Sequence, residues 1–350
     1  MRRDSHAVVL AISLILFCAV SVVAASKKPS TFEELALYKG ADRQQLLEEG
    51  AKKEGKLTHY TSGQQSVSPV NEAFEKKYPF IKVTTWRAGS TQQINRVVQE
   101  FQAGQHAFDV IEGTQSLMMV MQHMGIGIPF YLPNIASIED DGIIYAPGGG
   151  VYAAALRSSG IGFGYNTKLL SKAQLPKTYQ DLLEPRWKGK LAITTDSSPT
   201  WAGTINHFFG EDLLKKIAQQ DFTIHVGAPL NLLELIVSGE YAASPVIFDS
   251  HVFASKKKGA PIAWVPLEPV RVNVGQVALS KHAPHPYAAL LFADFKISKE
   301  SAEIHRSFGY DSFRTDVLPV DQRYKKYFGQ DTVETVKAEQ DLFNRLFLKK

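Results

Sequence analysis

Leu57-Thr-His-Tyr-Thr61, Ile81-Lys-Val-Thr-Thr-Trp86 and Phe108-Asp-Val-Ile111 decide the fold of this chain. Each is a short β-branched or aromatic run of the kind that forms a strand, and a helical stretch separates each from the next. Pro69 opens the first helix, which continues to Lys77. Proline suits the first helical position because an N–H there has no intrahelical partner to lose. Ser90 caps the second helix, where Ile94, Val97, Val98 and Phe101 fall at i, i+3, i+4 and i+7, and Gly104 ends it. A third helix follows from about Thr114 to His123. Its Met118, Met121 and Met124 have helical spacing and read as core packing rather than a cofactor box. A β-α-β-α-β run of this kind implies parallel strands joined by helical crossovers, hence an α/β fold.

A second alternating block follows Pro147-Gly-Gly-Gly150. Strands are expected at 161–165, 190–194, 222–226, 243–248, 262–265 and 272–279. Helices are expected at 199–209, 211–219, 229–238, 286–297 and 299–307, with another near Ser250 and a C-terminal one from about Thr332. Gly160-Ile-Gly-Phe-Gly164 superficially has a dinucleotide-loop look, but it lies within a strand and reads as structural. Upstream, Gln44–Lys53 forms a short helix stopped by Gly55, preceded by a loose leader over 26–35.

The N-terminus carries Arg2 and Arg3, then an apolar run from Ala7 to Ala25, with Val23 and Ala25 at the −3 and −1 positions of a cut before Ser26. That pattern describes a secretory signal over residues 1–25 and a periplasmic mature protein. The alternative is an uncleaved anchor, since the apolar run comes close to spanning a bilayer. Cys18 follows the bulky Phe17, which argues against lipidation, and cleavage removes this one cysteine.

The chain has 350 residues, 44% hydrophobic and 21% charged, which excludes collagen-like, disulfide-scaffold and disordered classes and suggests two domains. A net charge of +4 is too mild for a nucleic-acid partner, and Lys256-Lys257-Lys258 reads as a solvated helix end. No nucleophile elbow, P-loop, paired-histidine helix or dinucleotide fingerprint is present. His282 and His285 sit between prolines in a loop, and Asp140-Asp141 in a polar turn; both read as surface features. Neither catalytic residues nor a metal or cofactor are therefore expected.

What recurs is a polar loop between a strand and a helix. Tyr60, Ser62 and Gln64 follow the first strand, and Arg87, Ser90 and Thr91 the second. Glu112, Thr114 and Gln115 follow the third. In the second block Asp196, Ser198, Thr200 and Trp201 hold one such position, and Asp249, Ser250 and His251 another. Any one loop serves helix capping. Five together collect hydroxyls, backbone N–H groups and helix N-termini suited to a small anion or polar solute. Arg87 adds a fork for a carboxylate or phosphate, and Trp201 or Tyr60 a flat apolar wall.

With the export signal, these features resemble the type II periplasmic solute-binding proteins of ABC importers, extracellular solute-binding family 1, and most the ferric-ion-binding branch. The resemblance runs from Leu57 to about Phe313. It rests on Gly164-Tyr-Asn-Thr-Lys168, Pro176-Lys-Thr-Tyr-Gln-Asp-Leu-Leu-Glu-Pro-Arg-Trp-Lys-Gly-Lys190 and Val274-Gly-Gln-Val-Ala-Leu-Ser-Lys-His-Ala-Pro-His-Pro286. It implies an α/β, two-lobed periplasmic binding protein type II fold, with two doubly wound sheets and a ligand cleft between the lobes. It further implies a monomeric, non-catalytic receptor that closes on its solute and delivers it to the membrane permease and ATPase subunits of an importer. Lobe one would hold 56–138 and 270–311, lobe two 155–268 and 320–350, with crossovers at 139–154 and 268–272. The ferric branch places two tyrosines where Ser250 and His251 stand, and its His and Glu ligands fall at Gln65 and Thr114. None of these four supplies the phenolate or carboxylate oxygen a hard cation favours, which points to a small anionic organic solute. His251, Asp249 and Glu112 leave a metal or metal chelate open, and an extracytoplasmic hydrolase is the remote alternative.

Overall fold

The computed structural model describes residues 28–318, 324–329 and 332–348. The expected signal and its cut lie outside them. After two leading helices, α1 (Phe32–Ala36) and α2 (Arg43–Glu54), the chain runs β1 (Lys56–Thr61), α3 (Val67–Lys77), β2 (Lys82–Arg87), α4 (Ser90–Gln102), β3 (Val110–Gly113) and α5 (Gln115–His123). β1 pairs in parallel with both β2 and β3, as the β-α-β-α-β pattern requires. Met118 and Met121 of α5 are buried among Val97, Phe108 and Leu117, with Met124 against their edge.

The next two strands, β4 (Ile143–Tyr145) and β5 (Val151–Asn166), complete the first sheet and leave it. The second block then contributes β6 (Ala192–Thr194), α6 (Ser198–Phe209), α7 (Glu211–Ala218), β7 (Thr223–His225), α8 (Pro229–Ser238), β8 (Ala243–Phe248), α9 (Asp249–Lys257) and β9 (Ile262–Val265). The chain returns through β10 (Val270–Leu279), α10 (Pro286–Lys296) and α11 (Lys299–Ser307), and ends with β11 (Lys326–Tyr327) and α12 (Val333–Phe343).

β5 is one strand of 16 residues shared by both lobes. Its first part pairs with β4 and antiparallel β10, and its last residues, from Ile161, pair with β8 and β9. Sequence reading starts this strand ten residues late, because the polar run Arg157-Ser-Ser-Gly160 interrupts its apolar pattern. Buried side chains fall into separate cores: Phe74, Val110, Phe292 and their neighbours on one side of the crossing, Phe163, Ile193, Leu232, Ile247 and theirs on the other. α10 is buried almost all round, so an apolar pattern without a polar face is what its sequence needs. α12 joins the second core through Leu342 and Phe343. No helix among the described residues is long and apolar enough to cross a membrane.

The glycines of β5 let neighbouring side chains reach its backbone. A Cβ at Gly164 would lie 2.7 Å from Cβ of Ile247 on β8, far inside van der Waals contact. Gly164→Ala should therefore destabilise the protein by about 1–3 kcal/mol through overpacking. An unchanged denaturant midpoint would contradict this close approach.

Candidate ligand-binding cleft

Five helices, α4, α5, α6, α8 and α9, present their N-terminal residues to a cavity of about 170 Å³ between the two lobes. Unsatisfied N–H groups at such ends carry partial positive charge, so their convergence favours an anion. Ser62 and Gln64 line the cavity beside β1, Arg87, Ser90 and Thr91 after β2, and Thr114 and Gln115 after β3. Asp196 and Thr200 at the start of α6, and Ser250 and His251 at the start of α9, line it from lobe two. Arg87 is exposed, and its Nε donates to the Gly63 carbonyl at 2.9 Å.

The remaining five expected residues do not line the cavity. Tyr60 is buried, stacked on Phe108 with ring centroids 5.0 Å apart, and its hydroxyl donates to Glu100. Burial and that carboxylate push the phenol up to about 12. Trp201 points into the second core against Phe222 and Phe347. The two aromatic walls expected from sequence are thus core residues. Ser198 is wholly buried, while Ser197, Pro199 and Thr200 around it face the cavity. Asp249 stands one layer back. It accepts from Ser159 Oγ at 2.6 Å, Tyr324 Oη at 2.7 Å and the Gly160 N–H at 3.0 Å, so it orients cleft serines. Burial, opposed by these hydrogen bonds, raises its pKa to about 6.

Glu112 is fully buried in an ion cluster. Arg157 donates to its Oε1 through Nε at 2.8 Å and approaches it through Nη2 at 2.6 Å, and Lys296 holds Oε2 at 2.6 Å. These cations hold the Glu112 carboxyl well below the usual range against the opposing effect of burial. A carboxylate already held by two cations is not available to a metal. His59 lies 3.8 Å from the same carboxylate, but burial, with Lys296 nearby, lowers its pKa to about 3. His305 is pushed well below its ordinary value for the same reasons. Burial lowers the Lys296 pKa, and its pairing with Glu112 opposes that shift; the cluster thus sets two basic side chains against one carboxylate, with Arg157 at its cleft edge.

Arg157 and Arg271, both buried and both lining the cavity, escaped sequence reading, as did Ser159, Asn273 and Tyr310. A buried arginine inside each of two strands requires a partner or a ligand. Among the described residues no group of three or more His, Cys, Asp or Glu side chains could hold a metal ion.

Residues 58–303 match the bacterial extracellular solute-binding protein family, and the chain belongs to it. A Haemophilus influenzae protein of uncharacterised function is 28% identical over 268 residues, covering 73% of this chain and 76% of that one. The Fe(3+)-binding periplasmic protein of Serratia marcescens is 32% identical over 114 residues, 33% of this chain and 32% of that one. Among solved structures, the periplasmic binding protein AfuA from Actinobacillus pleuropneumoniae, with fructose-6-phosphate bound, superposes with a TM-score of 0.71 at 22% identity, covering 85% of this chain and 99% of that one. The protein is a periplasmic solute-binding receptor of an ABC importer with the two-lobed type II fold, a binding protein and not an enzyme.

His251 is buried, and burial together with Arg157 and Arg87 lowers its pKa to about 3. It is neutral when folded and titrates near 6.5 when unfolded. The unfolded chain then binds more protons between those values, so this residue costs stability as pH falls below about 6.5. Asp249 acts with opposite sign: its raised pKa costs stability as pH rises from about 4 to about 6. The difference between wild type and His251→Asn isolates the first contribution. The variant's melting temperature should fall less than that of wild type from about pH 7 to about pH 4.5; equal falls would contradict it.

Proposed function

We propose that the receptor captures a small organic anion, bearing a phosphate, phosphonate or carboxylate group, and closes its lobes around it. The observation that carries this reading is the pair of basic side chains set against one carboxylate in the Glu112–Arg157–Lys296 cluster at the cleft edge. Arg87 on the cavity wall adds to it, as do the five converging helix N-termini. An anion there would accept charge-assisted hydrogen bonds from preorganised donors. Ser62, Gln64, Ser90, Thr91, Thr114, Gln115, Thr200 and Ser250 would complete its coordination with hydroxyl, amide and backbone groups. In this reading β5 and β10 act as the hinge strands, and the closed receptor is delivered to the permease and ATPase subunits of its importer. The signal is cut before Ser26, and the receptor works as a monomer.

Ferric iron is the alternative, supported by the partial likeness to the Serratia marcescens protein. The chemistry of this cavity favours the anion, because its wall offers hydroxyl, amide and guanidinium donors, and among the described residues no group of three or more His, Cys, Asp or Glu side chains could hold a metal ion. Titration with ferric ion should produce no tyrosinate charge-transfer absorbance; its appearance would favour iron.

A panel of small phosphates, phosphonates and carboxylates, read by thermal shift, tests the reading. At least one member should raise the melting temperature in proportion to the logarithm of its concentration. Arg87→Ala should then weaken binding of that member by about 1.5–3 kcal/mol, the worth of a hydrogen bond to a charged group. Lys296→Met, which removes one basic side chain of the cluster without touching the cavity wall, should weaken it as well. A flat panel, or full affinity in both variants, would contradict the reading.

A further inference from the structure

A short segment near the C-terminus grips both lobes where the chain has just returned from one to the other. β11 pairs in parallel with the first residues of β10, and the Val270 N–H donates to the Lys325 carbonyl at 2.8 Å. Side chains of an extended segment point alternately to opposite sides, and here the two sides belong to different lobes. Lys326 pairs with Asp311 at 2.7 Å, and Phe328 packs on Phe313 and the first core. Tyr327, between them, stacks on His207 of α6 with centroids 5.2 Å apart and meets Phe208 edge-on. Lys325 lies over the same Phe208 ring. Just before the strand, Tyr324 Oη donates to Asp249 at the start of α9, and its ring lies against Trp264 of β9.

We propose that residues 324–329 form a strap across the hinge that holds the lobes in the arrangement seen here. The strap rests on the reading of β5 and β10 as hinge strands and is independent of the ligand's identity. Its backbone is fixed to β10, one set of its side chains to lobe one, and the interleaved set to lobe two. Rotation of one lobe against the other therefore has to part the contacts of one set, and their loss enters the free-energy gap between the two arrangements. A few aromatic contacts and one ion pair bias such an equilibrium without locking it. At Gly329, with φ of 77°, a Cβ would overlap the Arg271 guanidinium, so glycine lets the end of the strap press against the hinge strand. Asp249 also accepts from Ser159 and the Gly160 N–H, so Tyr324 joins the strap to the floor of the cleft through one carboxylate.

Distances between spin labels on the full mature chain test this. Cys18 is the one cysteine of the sequence, so labels can be placed through Glu72→Cys in α3 and Lys216→Cys in α7, both exposed and one in each lobe. Glu72→Cys with Gln99→Cys in α4 gives a reference pair within lobe one. Without added ligand, Tyr327→Ala should raise the population of a second inter-lobe distance by about threefold or more, as expected for lost aromatic contacts. Lys326→Gln, a milder change that leaves the ring contacts of Tyr327 in place, should move the distribution the same way. Distributions that match wild type in both variants, with the inter-lobe pair broader than the reference pair, would overturn the strap alone. An inter-lobe distribution as narrow as the reference in wild type and both variants would overturn the hinge reading with it. A lower melting temperature with unchanged inter-lobe distances would mark the segment as packing only, and counts against the proposal.

Discussion

Glu112, held between Arg157 and Lys296 in a dry interior, is the interaction on which the site depends. Its three members come from β3, β5 and α10, so it ties the sheet of lobe one to the helix buried beneath it and to the strand that leaves for lobe two. Burying these charges carries a large desolvation penalty, which close pairing offsets only in part. Removing Glu112 would strand two like charges in the core, whereas removing either cation leaves the carboxylate paired with the other. A hydrophobic substitute could stabilise the fold equally well, so the cluster's value lies in what it does at the cleft. It sets two cations against one carboxylate at the cleft edge, and burial together with Lys296 keeps the pKa of neighbouring His59 low.

The same strands connect that cluster to the second lobe. β5 carries Arg157 and Ser159, then passes without interruption into pairing with β8 and β9. β10 returns alongside it, bringing Arg271 and Asn273 to the cavity. The backbone that joins the lobes is therefore also the floor of the site, and a ligand held on it bears on the relative position of the lobes. Asp249, fixed behind this floor by Ser159, Gly160 and Tyr324, sets the start of α9 against β5. α12 supplies the remaining wall and touches helices on both sides of the cavity, α6 and α5.

Much of this was legible in sequence, and the gaps have physical causes. The β1–α5 run announces itself because each strand is a compact apolar segment and each helix has a clean 3.6-residue period. The polar residues at strand ends are legible because loop chemistry is local: hydroxyls and small residues before a helix can be counted. Tyr60 and Trp201 were misassigned because an aromatic beside a polar loop looks the same in sequence whether it faces the cleft or the core. Glu112 looked like a ligand because its partners, Arg157 and Lys296, lie far away in the chain. The two strand arginines are hard to read for another reason: a strand buried on both faces has no alternation against which a cation on the cavity wall stands out. The contribution of α12 depends on long-range packing that no local pattern encodes.

The central claim is that the cleft holds an organic anion, and native mass spectrometry of the purified mature protein, compared with its denatured spectrum, tests it most directly. The account predicts a small organic mass that is lost on denaturation and is detected as an anion bearing phosphate, phosphonate or carboxylate. A metal-sized increment, or a released organic cation, would contradict it.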